Sequence, residues 1–94
     1  MIGITRTAAM ELAPDIRVNA VCPSPTATRM VWKIHDHTGG EGSREDFEDR
    51  FSSNTPMRRF ARPSEIADAV AYLAGPQSSY VTGVELPVDG GTTA

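Results

Sequence analysis

One cysteine stands in the whole sequence, Cys22 among 94 residues. That excludes an internal disulfide and a zinc site built on several thiolates, and it fits a reducing compartment, the cytoplasm. Long apolar runs are missing as well. The segment from Met1 to Ala13 is fairly apolar but is broken by Arg6 and Glu11, well short of the ~20 residues a membrane span requires, and no targeting signal is legible. Positive charge is scarce: the formal net charge is -3 and the pI about 5.2, with both signs scattered. No basic stripe faces a phosphate backbone, which excludes the usual nucleic-acid partners. Repeats and linkers are absent, and the length allows one domain at most. What remains is ordinary soluble composition, 39% hydrophobic and 22% charged, too apolar for the disordered class.

Ile2, Ile4, Ala8, Ala9 and Leu12 recur at helical spacing, and Pro14 cannot continue a helix, so the first helix is predicted to end near Ala13. No Ser, Thr, Asp or Asn precedes Ile2, so this helix is already running where the sequence starts. Asp15 makes the turn. Ile16 to Cys22, rich in Val and Ile and closed by Pro23, reads as a strand buried on both faces. The rigid loop Pro23-Ser24-Pro25-Thr26-Ala27-Thr28 follows at the strand's carboxyl end, where open parallel sheets place ligands. Thr28 to Asn54 is the most polar stretch and reads as a mobile flap, with Gly39-Gly40-Glu41-Gly42 in its middle. Ser43 is spaced to Asp46 for capping a helix that carries Phe47 and Phe51. Pro63 suits a first helical position and Glu65 the positive end of the helix dipole. Ile66, Val70, Leu73 and Ala74 form one apolar face before Gly75-Pro76 ends that helix. Val84, Leu86 and Val88 alternate with Glu85 and Pro87, a strand that Pro87 confines to a sheet edge, and Asp89-Gly90-Gly91 turns the chain.

Several residues that invite a chemical role have a plainer explanation. Cys22 on a buried strand behaves as a small apolar residue. His35-Asp36-His37 reads as a solvated turn, since residues two apart share no helix face and a third metal ligand is wanting. Thr26 and Thr28 are placed to bind a ligand or to cap the next helix. Tyr80, between Ser79 and Thr82, reads as a packed loop aromatic, and the Ile66 to Leu73 face as core.

Three stretches together carry a resemblance. Gly3-Ile4-Thr5-Arg6 through Glu11-Leu12-Ala13-Pro14 to Ile16-Arg17-Val18-Asn19-Ala20-Val21 is one. Arg62-Pro63-Ser64-Glu65-Ile66-Ala67 with Ala71-Tyr72-Leu73-Ala74 is the second. Ser79-Tyr80-Val81-Thr82-Gly83 to Val88-Asp89-Gly90-Gly91 is the third. In order and spacing they resemble the carboxy-terminal third of short-chain dehydrogenases/reductases. The resemblance implies an α/β fold, the end of a doubly wound Rossmann-type parallel sheet, here two strands with three to four helices. Residues 1–94 then make a single incomplete domain.

The same resemblance implies NAD or NADP as cofactor and a small alcohol or carbonyl as substrate. It places Pro23 near the nicotinamide, the backbone around Thr26 on the carboxamide, and the Thr28 hydroxyl on the carboxamide or pyrophosphate. Ser24 stands where the family has glycine, and a backbone angle closed to other residues would strain the loop there. The glycine-rich phosphate turn is missing: four positions beyond Gly39 and Gly40 stand Ser43 and Arg44. So is the catalytic Tyr-x-x-x-Lys, because Tyr72 and Tyr80 are followed at that spacing by Pro76 and Val84. By the resemblance Met1 falls just past the lysine's place, so no catalytic residue is expected here and no metal ligand. The expected product is an oxidoreductase segment inactive alone. The alternatives are an interaction module, docking through the late helix and last strand on a full-length relative or on a second copy, and a truncated product without function. Two parallel strands without neighbours predict an aggregation-prone or partly disordered chain.

Overall fold

The computed structural model describes residues 2–24, 26–27, 29–37 and 42–94. Met1, Pro25, Thr28 and the glycine-rich stretch 38–41 lie outside the described residues. Helix α1, Ile2–Leu12, is followed by strand β1, Ala20–Pro23. Then come helices α2, Arg29–His37, α3, Arg44–Phe51, and α4, Pro63–Ala74, a 3-10 turn at Pro76–Ser78, and strand β2, Glu85–Val88. Among the described residues β1 and β2 form one two-stranded parallel sheet, Ala20 opposite Glu85 and Pro23 opposite Val88. Parallel neighbours cannot be joined by a tight turn. Everything from Ser24 to Val84 is therefore crossover, and it holds the flap and α4.

The sequence punctuation explains the helix ends. The Leu12 carbonyl accepts from the Asp15 and Ile16 N–H groups at 3.1 and 2.9 Å, closing α1 around Pro14. Ser43 and Asp46 form a reciprocal capping box on α3, the Asp46 N–H donating to Ser43 Oγ at 3.1 Å and the Ser43 N–H to Asp46 Oδ2 at 3.2 Å. Pro63 opens α4, and the Glu65 carboxylate reaches back to accept from the Arg62 N–H at 2.8 Å.

Three expectations are corrected. The strand begins at Ala20, not Ile16, and β1 is half-buried, not buried on both faces. Residues 17–19 spend their hydrogen bonds on the approach to β2 instead of a ladder. The Arg17 guanidinium donates to Ser78 Oγ and to the Val81 and Gly75 carbonyls, and Asn19 clasps Val81 and Val84 through its side-chain amide. Second, the Ile66 to Leu73 face is not closed core: no residue of α4 is fully buried, and Val70 is half exposed. Third, Tyr80 is not packed but fully exposed, at 102%.

The fully buried apolar residues among those described are Ala9, Phe47 and Phe60, whereas Ile4 is 77% and Met10 81% exposed. The chain measures 51 × 24 × 23 Å with a radius of gyration of 16.4 Å, against about 12 Å for a compact domain of this length. Its accessible surface, 6835 Å² for 10.1 kDa, compares with about 5,300 Å² for a compact monomer of that mass. Part of the excess lies where α1 and α4 turn apolar side chains outward, and part where α2 and α3 expose Met30, Ile34 and Phe51.

Glycine is required at the closing turn. Gly90 has φ +61°, and a Cβ there would stand 2.8 Å from Thr55 Cγ2. Gly90→Ala is expected to destabilise the chain by about 2 kcal/mol, from left-handed strain plus the clash. Gly3→Ala, in open space on α1, is expected to stabilise it by about 0.5 kcal/mol. Denaturant midpoints of the two variants, moving in opposite directions, check both.

Candidate functional site

The loop after β1 is pinned at both ends. The Ser24 N–H donates to the Val88 carbonyl at 3.1 Å, and the Ala27 N–H to the Ala61 carbonyl at 2.9 Å within a parallel bridge between Thr26 and Ala61. In that parallel bridge Ala61 takes the N–H of Ala27, not of Thr26, so Thr26's own N–H and C=O face away from residue 61. The Thr26 hydroxyl donates to the Ser24 carbonyl at 2.9 Å, so it does not cap α2 as the sequence allowed. Of the four residues the resemblance assigns to the nicotinamide end, Pro23 is exposed, Ser24 and Thr26 are half-buried beside it, and Thr28 lies outside the described residues. Ser24 does not have the backbone angle that would have demanded glycine: among described non-glycine residues the positive φ belongs to Arg58, at 55°. The predicted loop strain is absent at that residue.

Pro23, Ser24 and Cys22 line one wall of a cleft of about 600 Å³, and Phe51, Asn54 and Thr55 from the flap's exit line the other. The cleft runs along the sheet past Glu85 and Pro87 and reaches the carboxyl ends of both strands at Ser24, Asp89, Thr92 and Thr93, where parallel sheets gather ligands. Its rim is set by Asp89, whose carboxyl is held below its ordinary value chiefly by the Thr93 hydroxyl, 2.6 Å away, and by the Gly91 and Thr93 N–H groups.

The flap is built on aromatic packing. Phe47 sits at its centre, 4.6 Å between centroids from Phe51, 5.1 Å from His35, and 6.3 Å from both Trp32 and Phe60. Trp32 also packs on Phe60 at 6.0 Å. Guanidinium groups cover the outside, Arg44 5.2 Å from the Trp32 centroid and Arg50 5.2 Å from that of Phe51. His35-Asp36-His37 is consequently not a solvated turn. It ends α2, with His35 buried against Phe47 and its Nδ1 2.9 Å from Asp36 Oδ1. That contact, with Arg44 beyond it, holds the Asp36 carboxyl below its ordinary value.

Sequence reasoning missed Arg59, Phe60 and Glu48. Arg59 forms a two-pronged pair with Glu65, Nη1 to Oε1 at 2.7 Å and Nη2 to Oε2 at 2.9 Å, and the Phe60 N–H donates to Glu48 Oε2 at 3.0 Å. Glu65 in the first turn was legible as a charge suited to the positive end of the helix dipole, but nothing in the local pattern marks a partner six residues upstream. The Arg59 fork, followed by the Arg62 N–H, lowers the Glu65 carboxyl from 4.5 to about 2 and raises the Arg59 guanidinium. A depressed carboxyl contributes above its unfolded value and loses that contribution as pH falls through its folded one. The Glu65 contribution is thus complete above about pH 4.5 and fades toward pH 2. An acid titration followed by emission of Trp32, the single tryptophan, is expected to show this step in the parent and to lack it in Glu65→Gln.

A family model described as enoyl-(acyl carrier protein) reductase matches residues 1–93. A short-chain dehydrogenase of Penicillium roqueforti is 46% identical over 94 residues, covering 99% of this chain and 32% of that protein. Among solved structures, ligand-free aldohexose dehydrogenase of Thermoplasma acidophilum superposes with a TM-score of 0.86 at 38% identity, over 98% of this chain and 37% of that one. A variant of actinorhodin polyketide ketoreductase, solved with NADPH, superposes at 0.80 with 40% identity, over 97% of this chain and 36% of the other. The chain spans about a third of the length of the relatives it matches. On the family model, the relatives and the α/β architecture together, the chain belongs to the short-chain dehydrogenase/reductase family.

Proposed function

We propose that the chain is the carboxy-terminal segment of an NAD(P)-dependent oxidoreductase acting on a small alcohol or carbonyl, and that it forms the nicotinamide end of the cofactor site. The observation that carries this reading is the pinned loop from Pro23 to Thr26, opening on the cleft opposite Phe51. Its residues fit the group: two prolines in the loop limit its freedom, and the Thr26 peptide turned away from Ala61 offers a donor and an acceptor to a carboxamide. Pro23 and Ser24 give the ring a wall, and Thr28 is assigned to the carboxamide or pyrophosphate. Bound there, a nicotinamide supplies or accepts a hydride. This chain's residues orient the ring and cover the cleft, Phe51 facing it with Phe47 and Trp32 packed behind, to exclude water.

The segment holds no Tyr-x-x-x-Lys and no glycine-rich phosphate turn, so it does not catalyse alone. Residues 1–94 form a single incomplete domain in this reading, supported by the surface in excess of a compact monomer and by the outward Ile4, Met10 and Val70. The actinorhodin polyketide ketoreductase variant was solved with NADPH, which favours a nicotinamide cofactor of either kind. A single cysteine is in keeping with the cytoplasm, and no helix among the described residues is long and apolar enough to cross a membrane.

A second reading rests on the same outward apolar residues: the segment docks on a full-length relative, or on a second copy, through α4 and β2. Co-purification with an active relative, without any gain of activity from the segment, would favour it.

Calorimetric titration with NAD(H) and NADP(H) tests the main reading. The chain alone is expected to give no binding heat, and the chain joined to an upstream segment with the glycine-rich turn and the Tyr-x-x-x-Lys to bind. In that joined protein Trp32→Ala is expected to lower kcat/KM for the carbonyl substrate by about tenfold while cofactor affinity holds. Tight binding by the chain alone, or unchanged kinetics in Trp32→Ala, would count against the assignment.

A further inference from the structure

Four consecutive residues, Arg59 to Arg62, hold three separate parts of the molecule. The Arg59 guanidinium grips both oxygens of Glu65 on α4, at 2.7 and 2.9 Å, and the Arg62 N–H adds a third bond to Glu65 Oε1 at 2.8 Å. The Phe60 N–H donates to Glu48 on α3 at 3.0 Å, and its ring, 4% exposed, packs on Trp32 of α2 and Phe47 of α3. The Ala61 carbonyl takes the Ala27 N–H at 2.9 Å in the bridge to Thr26, on the loop after β1. An extended chain covers at most about 3.5 Å per residue, so these anchors lie within roughly 10 Å of backbone. That leaves no slack for one to shift while the others stay.

We infer that this segment is a shared seat which couples the position of the flap to that of the Ser24 to Ala27 loop, with Arg59 and Glu65 as the positioning residues that fix the seat to α4. Calling one end a cofactor loop and the other a lid rests on the proposed function; the mechanical coupling does not. Arg59 carries a fork that satisfies both carboxylate oxygens at once, a geometry lysine cannot supply. The Arg62 N–H adds a third bond to the same carboxylate, so the seat is held by three bonds to Glu65. Glu48 works from the flap's side, its carboxylate meeting the N–H between the two anchors. A ligand that orders the loop would by this route also order the aromatic lid, and the reverse, since coupling between two sites is reciprocal.

The test follows two probes at opposite ends of the seat in the full chain without cofactor: acrylamide quenching of Trp32 for the flap, and amide hydrogen exchange of Ala27 for the loop. In Arg59→Met both are expected to rise together by roughly threefold, the size a partly exposed ion pair commands. Arg59→Lys should recover only part of the loss. The amides of Ala20 and Gly83, bonded to Val84 and Val18 across the strand approach, should keep their rates, which separates loosening of the seat from loss of fold. If Arg59→Met disturbs those amides too, Glu48→Ala decides, because it removes the carboxylate that accepts from the Phe60 N–H on the flap's side and leaves the Arg59–Glu65 fork in place: faster exchange at Ala27 in Glu48→Ala supports the coupling. Unchanged Ala27 exchange while Trp32 becomes more quenchable overturns it. Because no nucleotide is present, failure of the cofactor assignment leaves this outcome legible.

Discussion

The parallel pairing of β1 with β2 is the constraint on which the rest depends. Two neighbouring parallel strands demand a connection that leaves one end of the sheet and returns to the other. That requirement places the flap and α4 between them and brings Pro23, Ser24 and Asp89 to the same end of the sheet. Register is set before the strands begin: the Asn19 side chain bonds to both Val81 and Val84, the Val18 N–H finds the Thr82 hydroxyl, and Val18 accepts from Gly83 at 2.8 Å. Arg17 ties the same approach to the end of α4 through the Gly75 carbonyl and Ser78. Ser78, fully buried, sets its hydroxyl 2.8 to 3.1 Å from the Tyr72, Leu73 and Gly75 carbonyls at the helix end, its single proton serving one of them.

Around that pair the molecule divides into a part that is satisfied and a part that is not. The flap has its own aromatic core, capped by arginine guanidinium groups and latched at Glu48 and Gly90, where the Met57 N–H meets the Gly90 carbonyl at 3.1 Å. Large apolar side chains stay in water on α1 and just after it, Ile4, Met10, Leu12 and Ile16, as well as Met30, Ile34 and Phe51 on the outside of the flap. Exposed apolar surface of this extent marks faces that another surface can cover, and the relatives this chain matches are about three times as long.

Most of the fold was legible where backbone chemistry leaves one option. Pro14, Pro63 and Gly75 bound helices because of what their backbones cannot do, and Ser43 with Asp46 announced α3 through a reciprocal cap. Strand β1 was drawn too long because Ile16 and Val18 satisfy β-propensity, while the Ile16 N–H closes α1 on Leu12 and the Val18 N–H and Asn19 side chain bond to Thr82 and Val81 more than 60 residues away. His35 was misplaced for a similar reason: its burial comes from Phe47, twelve residues on, and not from its own neighbours. Of the site, the Pro23 to Thr26 loop was legible from strand polarity, whereas the Arg59 pairing and the role of Phe60 arise from tertiary contacts that leave no periodic trace.

The central claim, that this segment completes the nicotinamide end of a dehydrogenase, is tested most directly by recombination. The chain is mixed with a polypeptide holding the upstream two-thirds of the Penicillium roqueforti relative, and NAD(P)H oxidation is followed with a panel of small carbonyl compounds. The account predicts hydride transfer from the mixture and none from either piece. A mixture that forms a stable complex, binds the nucleotide and still transfers no hydride to any of them would contradict it.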